Sequence, residues 1–230
     1  MSVTWFSSDG LRAALRQAVA PVDVLLDVGP GIMPQGLFAP RIHICCEPFP
    51  PYLGRLQEKT KSVQYRFIYL RMDWQQVVDS LPPESVDSVI LVDVIEHLDK
   101  PVALSLLKRT LRLARRQVLI STPLGFCPQH YETGQVDAWG MNGAAWQEHR
   151  SGWDLSDFDE GWTILACRHY HHVNGKGEKL DPPVGMFWAI YNAEMPYIKP
   201  PFRRLRTAIT CSLREFCDRM NWNSPSDKDS

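Results

Sequence analysis

The sequence predicts an α/β fold: a doubly wound, mostly parallel sheet of seven strands, closed by an antiparallel hairpin toward the C-terminal end. Three observations carry this reading. Short apolar runs alternate with helix-like segments over residues 23–122, which implies right-handed βαβ crossovers with helices on both faces. Two extended runs then follow one another without a helix between them. With 230 residues, 44% hydrophobic and 22% charged, the chain suits one domain with a buried core.

Residues 23–29 (DVLLDVG) are apolar and end in turn residues, as a strand covered on both faces requires. Residues 41–47 (RIHICCE), 63–72, 86–93 (VDSVILVD) and 117–122 (QVLIST) read the same way. Helices are expected at 49–58, at 74–81 and at 101–114. The last opens with Pro101 and repeats leucine at 104, 107, 111 and 113. Residues 162–173 and 186–192 form the hairpin, with Asn174-Gly175-Lys176-Gly177 and Asp181-Pro182-Pro183-Val184 as turn residues of its loop. Residues 126–158 make a long connection, an insertion or lid on the acceptor side of a domain spanning 1–199. Residues 200–222 carry an apolar stripe at helical spacing, and 223–230 are a small, polar, disordered tail.

Composition narrows the function. A formal net charge of −1 gives no long-range attraction to nucleic acid, and no basic stripe compensates, so a nucleic-acid partner is not expected. The N-terminus lacks a basic segment followed by an apolar one, and no apolar run approaches the roughly 20 residues that span a bilayer. The six cysteines (45, 46, 127, 167, 211 and 217) form no CxxC pair. Reduced thiols in a cytoplasmic protein, with no disulfide and no structural zinc, are expected.

The chemistry gathers at strand ends. Asp27-Val28-Gly29-Pro30-Gly31 follows the first strand, where glycines let the backbone turn sharply and approach a ligand. Glu47 ends the second strand, placed to accept both hydroxyls of a ribose. Asp73-Trp74 follows the third and offers adenine a hydrogen bond and aromatic cover. Here the chain resembles the class I S-adenosylmethionine-dependent methyltransferases, whose sheet is Rossmann-like. Asp27–Gly31 is similar to their acidic-Gly-x-Gly motif, and Asp93-Val94-Ile95-Glu96-His97-Leu98 to the fourth-strand motif of the ubiquinone-biosynthesis type. The resemblance spans about residues 11–192. It implies S-adenosylmethionine as cofactor, with Asp27, Gly29, Pro30 and Gly31 at its methionine part, Glu47 at the ribose, Asp73 and Trp74 at the adenine, and Asp93 alongside. The chain departs from the family at residues 32–40, where Pro34, Gly36 and Pro40 leave room for little more than one helical turn. That departure also weighs against a nicotinamide enzyme, which needs a helix N-terminus for pyrophosphate.

The fourth-strand motif supplies His97 and Glu96 as candidates for a base, and equally as residues that merely position the cofactor. His149, within the run Gln147–Trp153 that resembles methyltransferases of glycan and secondary-metabolite pathways, is a third candidate beside a lid-packing role. Aromatic, amide and imidazole groups in 126–158 suit a polar ring-shaped acceptor: a small molecule or glycan methylated on oxygen or nitrogen. His169, His171 and His172 read as a strand-surface cluster, and Glu96 has no evident second metal ligand, so no metal is expected. A silent scaffold of the same fold is the rival reading. For 200–222, a structural helix competes with a basic amphipathic helix on an anionic membrane.

Overall fold

The computed structural model describes residues 1–193 apart from Thr133 and Lys176. Segments 200–222 and 223–230, with Cys211 and Cys217, lie outside the described residues. Eight strands form one sheet: β1 (Ser2–Trp5), β2 (Val24–Val28), β3 (Ile42–Cys46), β4 (Phe67–Leu70), β5 (Val86–Val92), β6 (Ala114–Pro123), β7 (Trp162–Val173) and β8 (Lys179–Asn192). Their order across the sheet is β1-β7-β8-β6-β5-β2-β3-β4, and only the β8 pairings are antiparallel. The expected parallel core and terminal hairpin are present. The eighth strand, β1, is an exposed edge strand pairing parallel to β7. Its four residues alternate too briefly to show in the sequence.

Helices α1 (Ser8–Ala18), α2 (Pro50–Lys59), α3 (Trp74–Ser80), α4 (Lys100–Leu113) and α5 (Ala144–Gln147) surround the sheet. Successive strand residues feed opposite faces. Leu26, Val89, Leu91, Val118 and Ile120 pack with Val77 of α3 and Leu106 of α4. Leu25, Ile90 and Leu119 pack with Leu11 and Leu15 of α1. The core stripe of α4 is Ala103, Leu106, Leu107, Thr110 and Leu113, whereas Leu104 is exposed. The leucine repeat alone thus misplaced the buried face by part of a turn, because an alanine and a threonine share it. The expected turn at 181–184 is instead part of β8, which runs from residue 179. The hairpin register shifts around His171, so Pro182 and Pro183 fall where regular pairing is interrupted.

No helix intervenes between β2 and β3. In place of the helix that the resemblance implies, residues 35–38 are held by the Gln35 side chain and its backbone N–H. Gln35 donates its N–H to Asp27 (3.0 Å), and its Oε1 accepts from Leu37 N (2.6 Å) and Phe38 N (3.2 Å). Among the described residues no helix is long and apolar enough to cross a membrane. Cys45, Cys46, Cys127 and Cys167 are free thiols.

Candidate functional site

The C-terminal ends of β2, β3 and β5 meet at the middle of the sheet. After β2 the chain turns through Gly29 (φ +67°) and Gly31 (φ +59°), left-handed positions that favour glycine. A Cβ on Gly29 would lie 3.0 Å from Val94 Cγ2, so the glycine turn and the loop after β5 are in contact. Asp27 is buried and accepts from His43 Nε2 at 2.9 Å as well as from Gln35. His43 is a partner the sequence reading missed. It sits on β3 opposite Leu25, two residues from the Asp27 level, so both side chains share one face of the sheet. A histidine inside an apolar strand beside a strand that carries a buried acid was the available signal.

Glu47 is 4% exposed and uses both oxygens: Oε2 accepts from Gly31 N (3.0 Å) and Oε1 from Phe49 N (2.9 Å). Burial pushes its pKa up to about 7, against the pull of those two N–H groups. Asp73 caps α3, its Oδ1 accepting from Gln76 N at 2.8 Å. The Trp74 ring packs against the core, with the Arg109 guanidinium 5.9 Å from its centroid. Asp93 adopts a left-handed backbone (φ +51°) and accepts from Ser121 Oγ at 3.3 Å. Asp27, Gly29, Gly31, Glu47 and Asp93 thus converge through shared contacts and neighbouring strand ends, while Asp73 and Trp74 close the next strand outward.

The connection after β6 folds back over this region. A Cβ on Gly31 would lie 2.3 Å from Trp139 Cη2, so the indole rests directly on the glycine turn. Asp137 fixes that placement. Buried, it accepts from the N–H groups of Trp139 (2.8 Å), Met141 (3.0 Å) and Gly143 (2.9 Å), and from the Tyr52 hydroxyl of α2. Tyr52 also meets the Trp139 ring edge-on at 4.7 Å. Burial would raise the Asp137 pKa, but these four donors together hold it below the ordinary value. Tyr52 carries no local signal of this role, since its partner lies 85 residues further along the chain.

Glu96 and His97 form a 3₁₀ turn, Ile95–His97, directly after β5. His149 reaches them from the connection after β6: Arg150 N and Ser151 N donate to the Glu96 carbonyl at 2.7 and 3.1 Å, anchoring the chain beside it. The His97 and His149 rings lie 4.9 Å apart, edge to face. All three catalytic candidates are therefore neighbours. His97 Nδ1 lies 3.1 Å from the Glu148 carbonyl, and His149 Nδ1 lies 2.5 Å from the Cys127 carbonyl. Burial, then the nearby His149, pushes the His97 pKa down to about 4, and burial lowers that of His149. Both rings are neutral near pH 7, with Nε2 as the lone-pair nitrogen when Nδ1 donates to its carbonyl. Burial, reinforced by Asp93, pushes the Glu96 carboxyl well above its usual range. His169 and His172 are exposed, whereas His171 is partly buried, its pKa lowered first by burial and then by His149.

Open hollows of about 470 and 440 Å³ lie elsewhere, one among residues 78–83 with Arg109, Arg112 and Leu113, the other beside Trp5 and Cys167. Neither is lined by these motifs.

No family model matches the sequence, and no curated protein does. Solved structures do. TehB from Haemophilus influenzae aligns with a TM-score of 0.54 at 12% identity, over 80% of this chain and 61% of that one. A Listeria monocytogenes protein assigned as an S-adenosylmethionine-dependent methyltransferase aligns at 0.53 and 11%, over 82% of this chain and 100% of that one. The N-methyltransferase NodS from Bradyrhizobium japonicum, in complex with S-adenosylhomocysteine, aligns at 0.51 and 12%, over 81% and 87%. The fold is that of the class I S-adenosylmethionine-dependent methyltransferases.

Proposed function

We propose that this chain transfers a methyl group from S-adenosylmethionine to an oxygen or nitrogen of a small-molecule or glycan acceptor. The observation that carries this reading is the convergence at the central strand ends of a left-handed glycine pair with the buried carboxylate of Glu47. Left-handed backbone at both positions leaves the turn without side chains, so a ligand can approach the backbone closely, and a carboxylate beside it suits a diol. No helix follows the turn between β2 and β3, which fits a sulfonium cofactor without phosphates better than a dinucleotide. The likeness to NodS and TehB supports the same choice at the level of fold.

The cofactor supplies an already activated methyl group, so the protein's work is alignment and, for a protonated acceptor, removal of a proton. Asp27, Gly29, Pro30 and Gly31 would hold the methionine part and Glu47 the ribose. Asp73 would reach the adenine, with Trp74 as cover and Asp93 alongside. His97 and His149, neutral and in ring contact with each other, would receive the acceptor's proton. The exposed aromatics Phe126, Trp139 and Trp146 lie on the lid and suit stacking against a ring-shaped acceptor. Access to the glycine turn requires Trp139 to leave Gly31, so the lid moves as the cofactor enters.

Calorimetric titration of S-adenosylhomocysteine tests the reading. Removing Glu47 takes away a charge-assisted hydrogen bond to the ligand, a loss of about 1.5–3 kcal/mol or roughly 10- to 150-fold in affinity for Glu47→Ala. Unchanged affinity in that variant, or tighter binding of NAD than of S-adenosylhomocysteine by the native chain, overturns it.

A further inference from the structure

We propose that Glu96, His97 and His149 bind one divalent transition cation, of the zinc or cobalt(II) type, beside the methyl-transfer cleft. The three side chains come from the turn after β5 and from the lid, and one donor atom of each lies within 4.8 Å of the others. Bonds of about 2.0–2.1 Å to zinc place donors roughly 3.3 Å apart along a tetrahedral edge, so closing on an ion takes shifts of about 1 Å.

Three further features point to an ion. Glu96 is 2% exposed, and while its Oε2 accepts from Thr122 Oγ1 at 3.0 Å, its Oε1 has no hydrogen-bond partner among the described residues. A buried acceptor left in that state is costly, and a cation satisfies it directly. Both histidines have Nδ1 against a backbone carbonyl, Glu148 for one and Cys127 for the other. Donation there sets the tautomer with Nε2 as the lone-pair nitrogen, the usual outer-shell arrangement of ligating histidines; the His97 ring is held by the Asp93 backbone as well. The lid is also pinned at the residues that follow His149 by Ser151 Oγ, which donates to the Ile95 carbonyl at 3.2 Å, so the third ligand is not left to a free loop.

Two imidazoles and one carboxylate favour zinc, cobalt, iron or manganese over calcium and magnesium, which prefer oxygen alone. The other titratable cluster, Asp27 with His43 and Cys45, is already satisfied. Its acid and imidazole bond each other at 2.9 Å, and burial pushes the Cys45 thiol far above its ordinary range. Three protein ligands leave at least one position open on the ion. Val94, next to this turn, meets Gly29, which puts the cluster beside the glycine turn. An acceptor oxygen is the natural occupant of the open position; this rests on the methyl-transfer reading, narrows the acceptor to one bearing a hydroxyl, and makes His97 and His149 ligands in place of proton acceptors.

The test uses untagged full-length protein stripped with a chelator. Zinc is titrated by calorimetry and cobalt(II) by visible absorption, and S-adenosylhomocysteine binding is measured separately on the stripped form. The expected result is one ion per chain with no thiolate charge-transfer band. Binding should weaken at least about tenfold in Glu96→Gln and in His149→Asn, and stay unchanged in His169→Asn and His172→Asn. Absence of stoichiometric uptake by the wild-type chain overturns the proposal, as does a thiolate band, or uptake that survives the first two variants and vanishes in the last two. The wild-type measurements decide even if a ligand variant fails to fold. S-adenosylhomocysteine binding by the stripped protein reports on the methyl-transfer reading alone.

Discussion

Replacing Tyr52 with phenylalanine isolates the hold that keeps Trp139 on the glycine turn. The Tyr52 hydroxyl donates to Oδ2 of Asp137, and both residues are buried. After the substitution Asp137 keeps its three backbone N–H donors, so the turn around Trp139 retains its own structure while its link to α2 is lost. A hydrogen bond to a charged group contributes about 1.5–3 kcal/mol. Removing one therefore raises the population of the opened lid by roughly 10- to 150-fold. If the cofactor binds only the opened form, the apparent affinity for S-adenosylhomocysteine rises by up to that same factor, with the ceiling set once the open form predominates. Two measurements on Tyr52→Phe check this: amide exchange at Trp139, Met141 and Gly143, and calorimetric titration of the ligand. The account predicts faster exchange together with tighter binding. Faster exchange with weaker binding would refute it and make Trp139 part of the binding surface, not a cover over it.

Two other outcomes follow from buried carboxylates. Asp87 joins β5 to the start of β2 and to β6, accepting from Asp23 N (2.8 Å), Val24 N (2.9 Å) and Arg115 (2.8 Å to Nη2). Burial alone would raise its pKa, but the two N–H groups and Arg115 outweigh it and set the net value below the ordinary one. A depressed native pKa stabilises above the unfolded value of about 3.9, and this contribution is lost as pH falls through the native value. Asp87→Asn should then lower the thermal midpoint at neutral pH, with the gap to wild type narrowing below about pH 4; a gap independent of pH would contradict this. Glu47, raised to about 7 by burial, accepts ribose hydroxyls best as a carboxylate. Affinity for S-adenosylhomocysteine should rise between about pH 6 and about pH 8, and a flat profile over that range would show that its ionisation plays no part.

The parallel core was legible because each central strand is covered on both faces and reads as an unbroken apolar run. Asp27, Glu47 and Asp93 could be placed for a related reason: a charged residue that closes such a run must sit at the sheet edge. What the sequence hid were contacts between distant segments. Nothing local marks Tyr52 as the partner of Asp137, eighty-five residues away. Nor could spacing show that the lid returns His149 to Glu96 and His97, because the pinning bonds use the Glu96 and Ile95 carbonyls, which every residue type possesses. The absent helix at 32–40 was readable from Pro34, Gly36 and Pro40, but that Trp139 covers the exposed turn was not. Edge strand β1 escaped because its alternation covers only four residues, all of them exposed.

The central claim is that S-adenosylmethionine binds where β2, β3 and β5 end. Ultraviolet cross-linking of methyl-labelled S-adenosylmethionine to the full-length chain, followed by peptide mapping, tests cofactor and place together. The account predicts label in peptides carrying residues 27–31, 73–74, 93–97 or Trp139, abolished by excess S-adenosylhomocysteine and untouched by NAD. Label confined to the hollow beside Trp5 and Cys167, or label that NAD removes and S-adenosylhomocysteine does not, would contradict it.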